Sequence, residues 1–556
     1  MAHIKINGKE YEFPQGMNVL EACKSAGIEI PHFCYHPMLQ VVGSCRMCKV
    51  EVTQNDRKRI DISCKVEVVE GLEISTETDA IAKQRQMTLE FLLANHPLDC
   101  PICDDAGECD LQDYYFKYGK YDSRMGELKV RKSKSEDVGE NIVLDSERCV
   151  LCTRCVRFLS DVTETHELEV FGMGSTEALG LRPDIRLDND YSGNVVDLCP
   201  VGALTDKDFR FKRRVWYLKE TSSICQGCSR GCNVRIDSDL NMFRTHKKFQ
   251  HLQSMRTITT EHQRIQRIKP RINMDINKHW ICDAGRYSYK PTDAKDRLHK
   301  PITMQNGKLE IVDNDQAIFT LAQGLNSIIN LNKSKLAVVI SPKLTNEEVY
   351  AIWSLFRQGL NLNNLDHAIP IDKNWRGDNI LKTPDSFPNR TGCEWFHFYP
   401  YDGGVGVAGL GEAIDSGKIN SIVCILTNPL DYLSDSQMEK LKHKYFVIRN
   451  LDESLKKHVE VALPAAAWGE YRGTFTNYDG RVQKLEKAFE PLGQARPVWQ
   501  WMIDLSAHMK KPLQWNNVDD IFEDMSKNFV HFEDMNFKAS EGEVNSLEPT
   551  RKVING

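Results

Sequence analysis

The sequence predicts a multidomain protein in which small α+β modules are followed by an α/β domain. Sixteen of the 18 cysteines precede Asp283, so the two halves of the 556-residue chain differ sharply in composition. Short strand and helix patterns stand beside the first cysteines, and beyond residue 291 buried strands alternate with amphipathic helices. A chain of this length has room for several domains, each with its own core.

Composition and charge exclude several classes of protein. The net charge of -6 provides no basic surface for nucleic acid, and 27% charged residues is ordinary for a globular protein. The chain contains no run of 18 apolar residues, so we expect no membrane span. It opens without the basic start and apolar core of a signal peptide, which favours a reducing cytoplasm with free thiols.

Fifteen cysteines and one histidine fall into four consecutive groups of four, and four is the number of protein ligands that a [2Fe-2S] or [4Fe-4S] cluster takes. The candidate metal ligands are Cys34, Cys45, Cys48 and Cys64; His96, Cys100, Cys103 and Cys109; Cys149, Cys152, Cys155 and Cys199; and Cys225, Cys228, Cys232 and Cys282. Disulfides fit poorly, because stapled frameworks belong to short secreted chains. Zinc is the stronger rival, although triple cysteine runs with long gaps are unlike zinc ribbons.

The first module is predicted over residues 1–78. Apolar residues alternate over 3–13 on both sides of Asn7 and Gly8, which indicates a hairpin with a two-residue turn. A short helix should follow over Asn18–Ala26. A hairpin, a helix and a cysteine loop are typical of a small ferredoxin of the plant type that holds [2Fe-2S].

Two small residues precede the C-x2-C pair of this module. Gly43 and Ser44 should let the backbone approach the cluster and direct N-H groups at its sulfur atoms, and such hydrogen bonds tune reduction potential.

The second module is predicted over 79–140. An apolar pattern over Asp79–Ala94 indicates a helix that ends before His96 and Pro97. A lone histidine at a helix end is more often a cap than a ligand, but His96 has three cysteines beside it and no fourth nearby. A neutral imidazole removes one negative charge relative to a thiolate, which by itself should raise the potential of the cluster.

The third module, over 141–217, has the outline of a two-cluster bacterial ferredoxin, whose runs read C-x2-C-x2-C-x3-C-P. The first run starts at Cys149, but Leu159 stands in its fourth place. The second run has lost the cysteines expected at 189, 192 and 195, yet Cys199 remains before a proline. One cluster therefore survives, with Cys199 as its cross-over ligand, and the second site is left as a scaffold.

The fourth module is predicted over 218–290, with a gap of 49 residues between Cys232 and Cys282. Basic and polar residues over 244–264 indicate an exposed excursion inside this gap.

The α/β domain is predicted over 291–510. Leu336–Ile340 and Ser421–Leu426 are apolar strands, and Thr345 with Glu348 forms a capping box at the start of a helix. The glycine-rich segment 403–409 is interpreted as a loop, since no phosphate-binding or catalytic motif stands out. Three further cysteines in apolar surroundings are interpreted as buried core residues: Cys23, Cys393 and Cys424. A polar C-terminal tail is expected over 511–556.

Three stretches carry a resemblance to a known family: PHFCYHP at 31–37, HPLDCPIC at 96–103 and CPVGALT at 199–205. Together with the order of the four ligand groups, they resemble the large iron–sulfur subunit of proton-pumping NADH:quinone oxidoreductase, respiratory complex I. The resemblance extends over about 1–510. The segments LPAAA at 463–467, GTFTN at 473–477 and GRVQ at 480–483 look like a truncated molybdopterin-oxidoreductase domain that this family retains without its cofactor.

The resemblance implies one [2Fe-2S] cluster and three [4Fe-4S] clusters, no molybdenum, and no acid-base or nucleophilic catalytic residue in this chain. It implies an electron relay on the peripheral arm, on the cytoplasmic side of the inner membrane, which meets the membrane only through the complex. The implied partners are the flavin-containing NADH-binding subunit, the small [2Fe-2S] subunit and the quinone-side iron–sulfur subunits.

Three alternatives remain open from the sequence. The first is the large subunit of an NAD-linked formate dehydrogenase, which would need a cysteine or selenocysteine ligand for molybdenum and several hundred more residues. An [FeFe]-hydrogenase would need further cysteine motifs. An assembly platform with degenerate clusters is the third, and the complete ligand sets argue against it.

Overall fold

The computed structural model describes residues 1–239, 263–370, 372–535, 537 and 546–547. These described residues form two compact units, one within 1–218 and the other within 219–556. Most of the predicted excursion over 244–264 lies outside the described residues.

The first unit opens with a five-stranded sheet in the order β2-β1-β5-β3-β4, in which β1 and β5 are parallel and the other pairs are antiparallel. The strands are β1 (Ala2–Ile6), β2 (Lys9–Phe13), β3 (Lys49–Gln54), β4 (Arg57–Ile62) and β5 (Leu72–Ser75). The predicted hairpin is confirmed, and its turn residues Asn7 and Gly8 both have positive φ, as a type I′ turn requires.

Helix α1 (Val19–Ser25) lies against this sheet, close to the predicted range. The Asn18 side chain accepts the Glu21 amide at 2.9 Å and so caps the first turn, and Gly27 follows the end of the helix with φ +73°. Its buried residues join the strands in one hydrophobic cluster. This α+β module brings the first cysteine loop to one end of the sheet.

The rest of the first unit consists of short elements around the second and third cysteine groups. The helices are α2 (Asp79–Asn95), α3 (Asp110–Tyr118), α4 (Arg154–Asp161) and α5 (Asn194–Leu198). The strands are β6 (Glu136–Asp137), β7 (Ile142–Leu144), β8 (Leu168–Phe171), β9 (Ala178–Leu181) and β10 (Leu204–Asp206). They form a three-stranded sheet in the order β10-β7-β6 and a separate β8-β9 hairpin. As predicted, α2 ends directly before His96 and Pro97.

The second unit begins with a three-stranded sheet in the order β11-β12-β13 and a short helix that carry the fourth cysteine group. These elements are β11 (Leu218–Ile224), β12 (Asn233–Asp239), β13 (Ile265–Pro270) and α6 (Asp283–Arg286).

A seven-stranded sheet follows in the order β15-β14-β20-β19-β18-β16-β17, with five parallel strands from β20 to β17. The strands are β14 (Ile302–Gln305), β15 (Lys308–Ile311), β16 (Leu336–Ile340), β17 (Leu365–His367), β18 (Ser421–Ile425), β19 (His443–Ile448) and β20 (Val461–Pro464). Alternate residues of β16 belong to two different cores: Val338 lies in one core and Val339 lies in the other. Both faces of the sheet are therefore covered. The predicted strands and the α/β class are confirmed.

Helices cover both faces of this sheet. One core contains residues of α7 (Asn314–Asn332), α8 (Asn346–Trp353), α9 (Arg390–Trp395), α13 (Val498–His508) and α14 (Val518–Asn528). The other contains residues of α10 (Val407–Asp415), α11 (Asp435–Lys440) and α12 (Glu453–Lys456). The capping box of Thr345 and Glu348 is confirmed at α8, and α10 takes up the end of the glycine-rich segment.

The predicted polar tail differs from the structure at its beginning. Helix α14 lies inside 511–556, and its residues Val518, Ile521, Phe522 and Met525 are buried in the core beside α8. Their spacing of three and four residues makes one apolar face, which a judgement based on overall polarity overlooks. A further sheet joins β21 (Gly473–Thr476), β22 (Val482–Leu485) and β23 (Ser546–Leu547).

Candidate iron–sulfur sites

The structure brings the first ligand group together beside the five-stranded sheet. Cys34, Cys48 and Cys64 are buried, and Cys45 is half-buried. The thiols interact in two pairs, Cys34 with Cys45 and Cys48 with Cys64. The interaction lowers the pKa of Cys34 and Cys48 and raises the pKa of Cys45 and Cys64.

Two small residues shape the backbone before Cys45. Gly43 has φ +69°, and a Cβ atom there would lie 2.8 Å from side-chain atoms of both Ile62 and Lys65. The Ser44 amide and hydroxyl both bond to the Cys34 sulfur. A larger residue at 43 would be strained by this φ and would have to displace the ends of these two side chains.

The second group lies between α2 and α3. Cys109 immediately precedes α3, and Cys103 is buried close enough to interact electrostatically with it. The Cys100 carbonyl accepts the Cys103 amide at 3.4 Å. Cys100 itself is exposed, so this group is less enclosed than the others.

His96 has the protonation state that metal ligation requires. Burial lowers the pKa of His96 to about 4, and the charges of Lys129 and Arg148 act in the same direction. The imidazole is therefore neutral at pH 7, and neutral imidazole is the form that binds a metal.

Gly202, in the third cysteine motif, lies directly against the second group. A Cβ atom on Gly202 would stand 2.2 Å from the Cys103 sulfur and 3.0 Å from Cβ of Asp105. The Pro200 carbonyl also accepts the Asp110 amide at 3.1 Å. The loop after Cys199 thus packs on the second group, a contact that sequence reasoning missed because it joins residues about a hundred positions apart.

The third group surrounds one small cavity. All four of its cysteines line this cavity, together with apolar residues that include Leu179 and Val201. Burial raises the pKa of Cys155 and Cys199 well above the ordinary thiol value. The structure therefore places the predicted cross-over ligand, Cys199, with the C-x2-C-x2-C run.

Protein side chains occupy the positions where a two-cluster ferredoxin would have the ligands of its second cluster. Leu159 on α4 and Val195 on α5 are fully buried. Ser192, three residues before Val195, is also buried. Asn189 donates to Glu167 at 2.7 Å. These side chains serve as packing and hydrogen-bonding groups, as expected of a scaffold.

The fourth group is the most enclosed. All four cysteines are buried, and Cys225, Cys228 and Cys282 all act electrostatically on Cys232. The Gly285 amide donates to Cys282 at 3.3 Å, and a Cβ atom on Gly285 would stand 2.9 Å from the Cys225 sulfur.

The loop of the fourth group is bonded into the α/β domain of the same unit. The Ser229 amide donates to the Asp385 carbonyl at 3.0 Å, Trp468 Nε1 donates to the Ile224 carbonyl at 3.1 Å, and Gln483 Nε2 donates to the Gly231 carbonyl at 2.8 Å. The fourth site therefore holds several distant segments together.

One backbone device recurs in all four groups: the amide two residues after a cysteine donates to its sulfur. The pairs are Cys45 with Met47, Cys103 with Asp105, Cys109 with Leu111, Cys149 with Leu151, Cys152 with Arg154 and Cys225 with Gly227. Hydrogen bonds of this kind favour a thiolate, which is the ligand that an iron–sulfur cluster needs. The amides therefore offset part of the effect of burial, which raises the pKa of most of the same thiols. Cys199 differs, because its thiol donates to the Val201 carbonyl at 2.8 Å.

The three remaining cysteines are Cys23, Cys393 and Cys424, which are buried in hydrophobic clusters as predicted. Burial raises the pKa of Cys424 to about 12. Among the described residues, no three His, Cys, Asp or Glu side chains are placed so that they could hold one metal ion.

A cavity of about 500 Å³ opens at the carboxyl ends of β16, β18 and β19. The described residues that line it include Lys343, Asn428 and Arg449, and none of them is a cysteine. It therefore offers no thiolate of the kind that the formate dehydrogenase alternative requires.

Within the described ranges, no helix has the length and apolar character needed to cross a bilayer.

Five family models match successive parts of the chain. They are a 2Fe-2S iron-sulfur cluster binding domain over 1–79, the NADH-ubiquinone oxidoreductase-G iron-sulfur binding region over 85–124, the NADH-quinone oxidoreductase subunit 3 ferredoxin-like domain over 139–205, the NADH-ubiquinone oxidoreductase NDSU1/NuoG-like 4Fe-4S domain over 253–290 and molybdopterin oxidoreductase over 402–508. The chain therefore carries domains of both the [2Fe-2S] and [4Fe-4S] types, followed by part of a molybdopterin-oxidoreductase domain.

Two named relatives illustrate the similarity. The G subunit of NADH-quinone oxidoreductase from Rickettsia felis is 36% identical over 69% of this chain and 53% of the relative. The mitochondrial NADH dehydrogenase [ubiquinone] iron-sulfur protein 1 of Solanum tuberosum is 38% identical over 62% of this chain and 42% of the relative. The chain spans about half the length of the curated relatives that it matches.

A solved NAD+-reducing [NiFe]-hydrogenase chain is 30% identical to this one, with 38% of this chain and 91% of that chain covered and a TM-score of 0.35.

Proposed function

This chain belongs to the family of the large iron–sulfur subunit of NADH-quinone oxidoreductase, and we propose that it relays electrons from the NADH and flavin side of respiratory complex I toward quinone. In the whole complex this transfer is coupled to proton translocation. The observation that carries the proposal is the presence of four consecutive ligand groups with four candidate ligands each. No residue of the chain is assigned acid-base or nucleophilic chemistry.

The sixteen ligands predicted from the sequence would hold one [2Fe-2S] cluster in the first group and three [4Fe-4S] clusters in the others. Each cluster, once bound, accepts and releases one electron at a time. The protein supplies buried sulfur atoms, amides that donate to them, and glycines such as Gly202 that admit close approach. These features fit a cluster, because the amides favour thiolate ligands and burial excludes solvent.

We propose the domain division predicted from the sequence, with one change. The [2Fe-2S] domain comprises 1–78, and the three [4Fe-4S] domains comprise 79–140, 141–217 and 218–290. The α/β domain begins at 291 and includes residues up to 535, because α14 lies in its core.

The partners we propose are subunits of the peripheral arm, namely the flavin-containing NADH-binding subunit, the small [2Fe-2S] subunit and the quinone-side iron–sulfur subunits. We place the chain on the cytoplasmic side of the inner membrane, attached through these subunits. The names of its relatives and its iron–sulfur domains support this placement.

Removal of the chain tests the proposal in the cell. Membranes that lack it should lose NADH-driven quinone reduction, and the full-length chain supplied in trans should restore it and co-purify with a flavin subunit. The matched control measures formate-dependent NAD+ reduction, which should be the same with and without the chain. Loss of the formate activity alone would favour the formate dehydrogenase alternative.

A further inference from the structure

Arg148 is a buried cation in the first unit. It directly precedes Cys149, and the cysteine spacing alone assigns it no role. Its side chain is only 5% exposed, and it bonds to Asp99 twice, from Nε at 3.1 Å and from Nη2 at 3.0 Å. It also lies 3.3 Å from Asp145 and donates to the Gly202 carbonyl at 3.5 Å. Arg148 thus joins the loop of the second ligand group to the loop of the third.

The guanidinium faces the second group. It bonds to Asp99, the residue before Cys100, and to the carbonyl of Gly202, where a Cβ atom would stand 2.2 Å from the Cys103 sulfur. Its positive charge acts to lower the pKa of both Cys103 and His96. Asp99 belongs to the HPLDCPIC motif but cannot be one of the four ligands if those are His96 and the three cysteines. In the structure the Asp99 carboxylate accepts two hydrogen bonds from Arg148 and so positions it.

Other charges surround this pair. Lys134 contacts Asp99, lies 2.9 Å from Glu147 and lies 3.7 Å from Asp145, while Lys129 donates to the last carbonyls of α2. Further charged groups near Cys103 include Asp104, Asp105, Arg210 and Arg214. Lys134 gives the carboxylates a second partner, so they stay paired when Arg148 is replaced.

We propose that Arg148, positioned by Asp99, sets the reduction potential of the cluster held by the second group. The inference rests on the proposed function, since it needs a cluster at His96, Cys100, Cys103 and Cys109. Reduction adds one electron to the cluster, and no bond is formed or broken. A fixed positive charge beside it stabilises the reduced state, and burial limits screening by solvent ions.

This account predicts shifts of opposite sign for the two partners. Arg148→Met removes the cation at similar volume and should lower the potential. Asp99→Asn removes the negative charge while keeping an amide of the same shape, and it should raise the potential. A purely structural pair would give changes in the same direction, because both substitutions weaken the same contact.

The experiment is an EPR-monitored redox titration of the full-length, cluster-loaded protein, with dithionite as the electron donor and mediator dyes. The signal of the second cluster is the one that Cys109→Ala removes. Arg148→Lys keeps the charge but loses the two-pronged geometry, so its potential should lie closer to the wild-type value than that of Arg148→Met. The matched control is Arg186→Met, because Arg186 is an exposed arginine of the same unit that pairs with Asp137 at 3.0 Å.

Opposite shifts for Arg148→Met and Asp99→Asn, with Arg186→Met unchanged, support the proposal. Unchanged potentials, shifts of the same sign, or loss of the signal in both variants would overturn it. If Arg148→Met alone loses the cluster, the sign of the Asp99→Asn shift decides. A wild-type protein without a signal from the second group would instead contradict the proposed function.

Discussion

Cys152→Ala should abolish NADH-driven quinone reduction while leaving NADH oxidation by an artificial acceptor at the flavin intact. Cys152 is buried in the cavity that all four ligands of the third group line, so its loss removes one of four protein ligands. An electron relay stops when an obligatory cluster is missing, whereas the flavin still receives electrons from NADH. We therefore expect quinone reduction to be lost completely and the artificial-acceptor activity to be unchanged.

Cys228→Ala is the matched control, because it removes a buried ligand of the fourth group in the same way. In the resembling family the fourth cluster is a side site, and here its loop is bonded to distant parts of the α/β domain. Its loss should mainly weaken folding, so complexes that still assemble should keep most of their quinone activity. Both rates should be measured per assembled complex in membranes. Equal loss of quinone reduction in the two variants, at equal assembly, would refute the division into relay and side site.

His96→Ala should remove or strongly alter the signal of the second cluster and leave the other three unchanged. The imidazole is half-buried at the end of α2 and neutral at pH 7, and alanine has no atom that could replace it as a ligand. His96→Cys should retain the cluster at a lower potential, because a thiolate adds a negative charge. EPR of the reduced, isolated variants measures both effects. Unaltered signals in both variants would show that His96 is not a ligand.

Local sequence was enough to predict the elements that carry the ligands. The turn at Asn7 and Gly8, the caps at Asn18 and Thr345, and the proline that ends α2 act through neighbours in the chain, so their patterns can be read directly. The ligand groups were predicted for a related reason, since the spacing of the closely placed cysteines in each group is a local property. The cross-over position of Cys199 needed only a comparison with an internally repeated motif.

Contacts between distant segments could not be predicted in this way. Neither the Arg148–Asp99 pair nor the approach of Gly202 to Cys103 leaves a local pattern, because the partners are 49 and 99 positions apart. Helix α14 was overlooked for another reason. Its single apolar face is short and lies within a polar stretch, and only packing against α8 shows that this face belongs to the core.

Metal analysis of the purified full-length chain tests the central claim most directly. We predict about 14 iron atoms per chain, the content of one [2Fe-2S] cluster and three [4Fe-4S] clusters, together with no molybdenum. Zinc in stoichiometric amount, or iron near half of that value, would contradict the assignment of the four ligand groups.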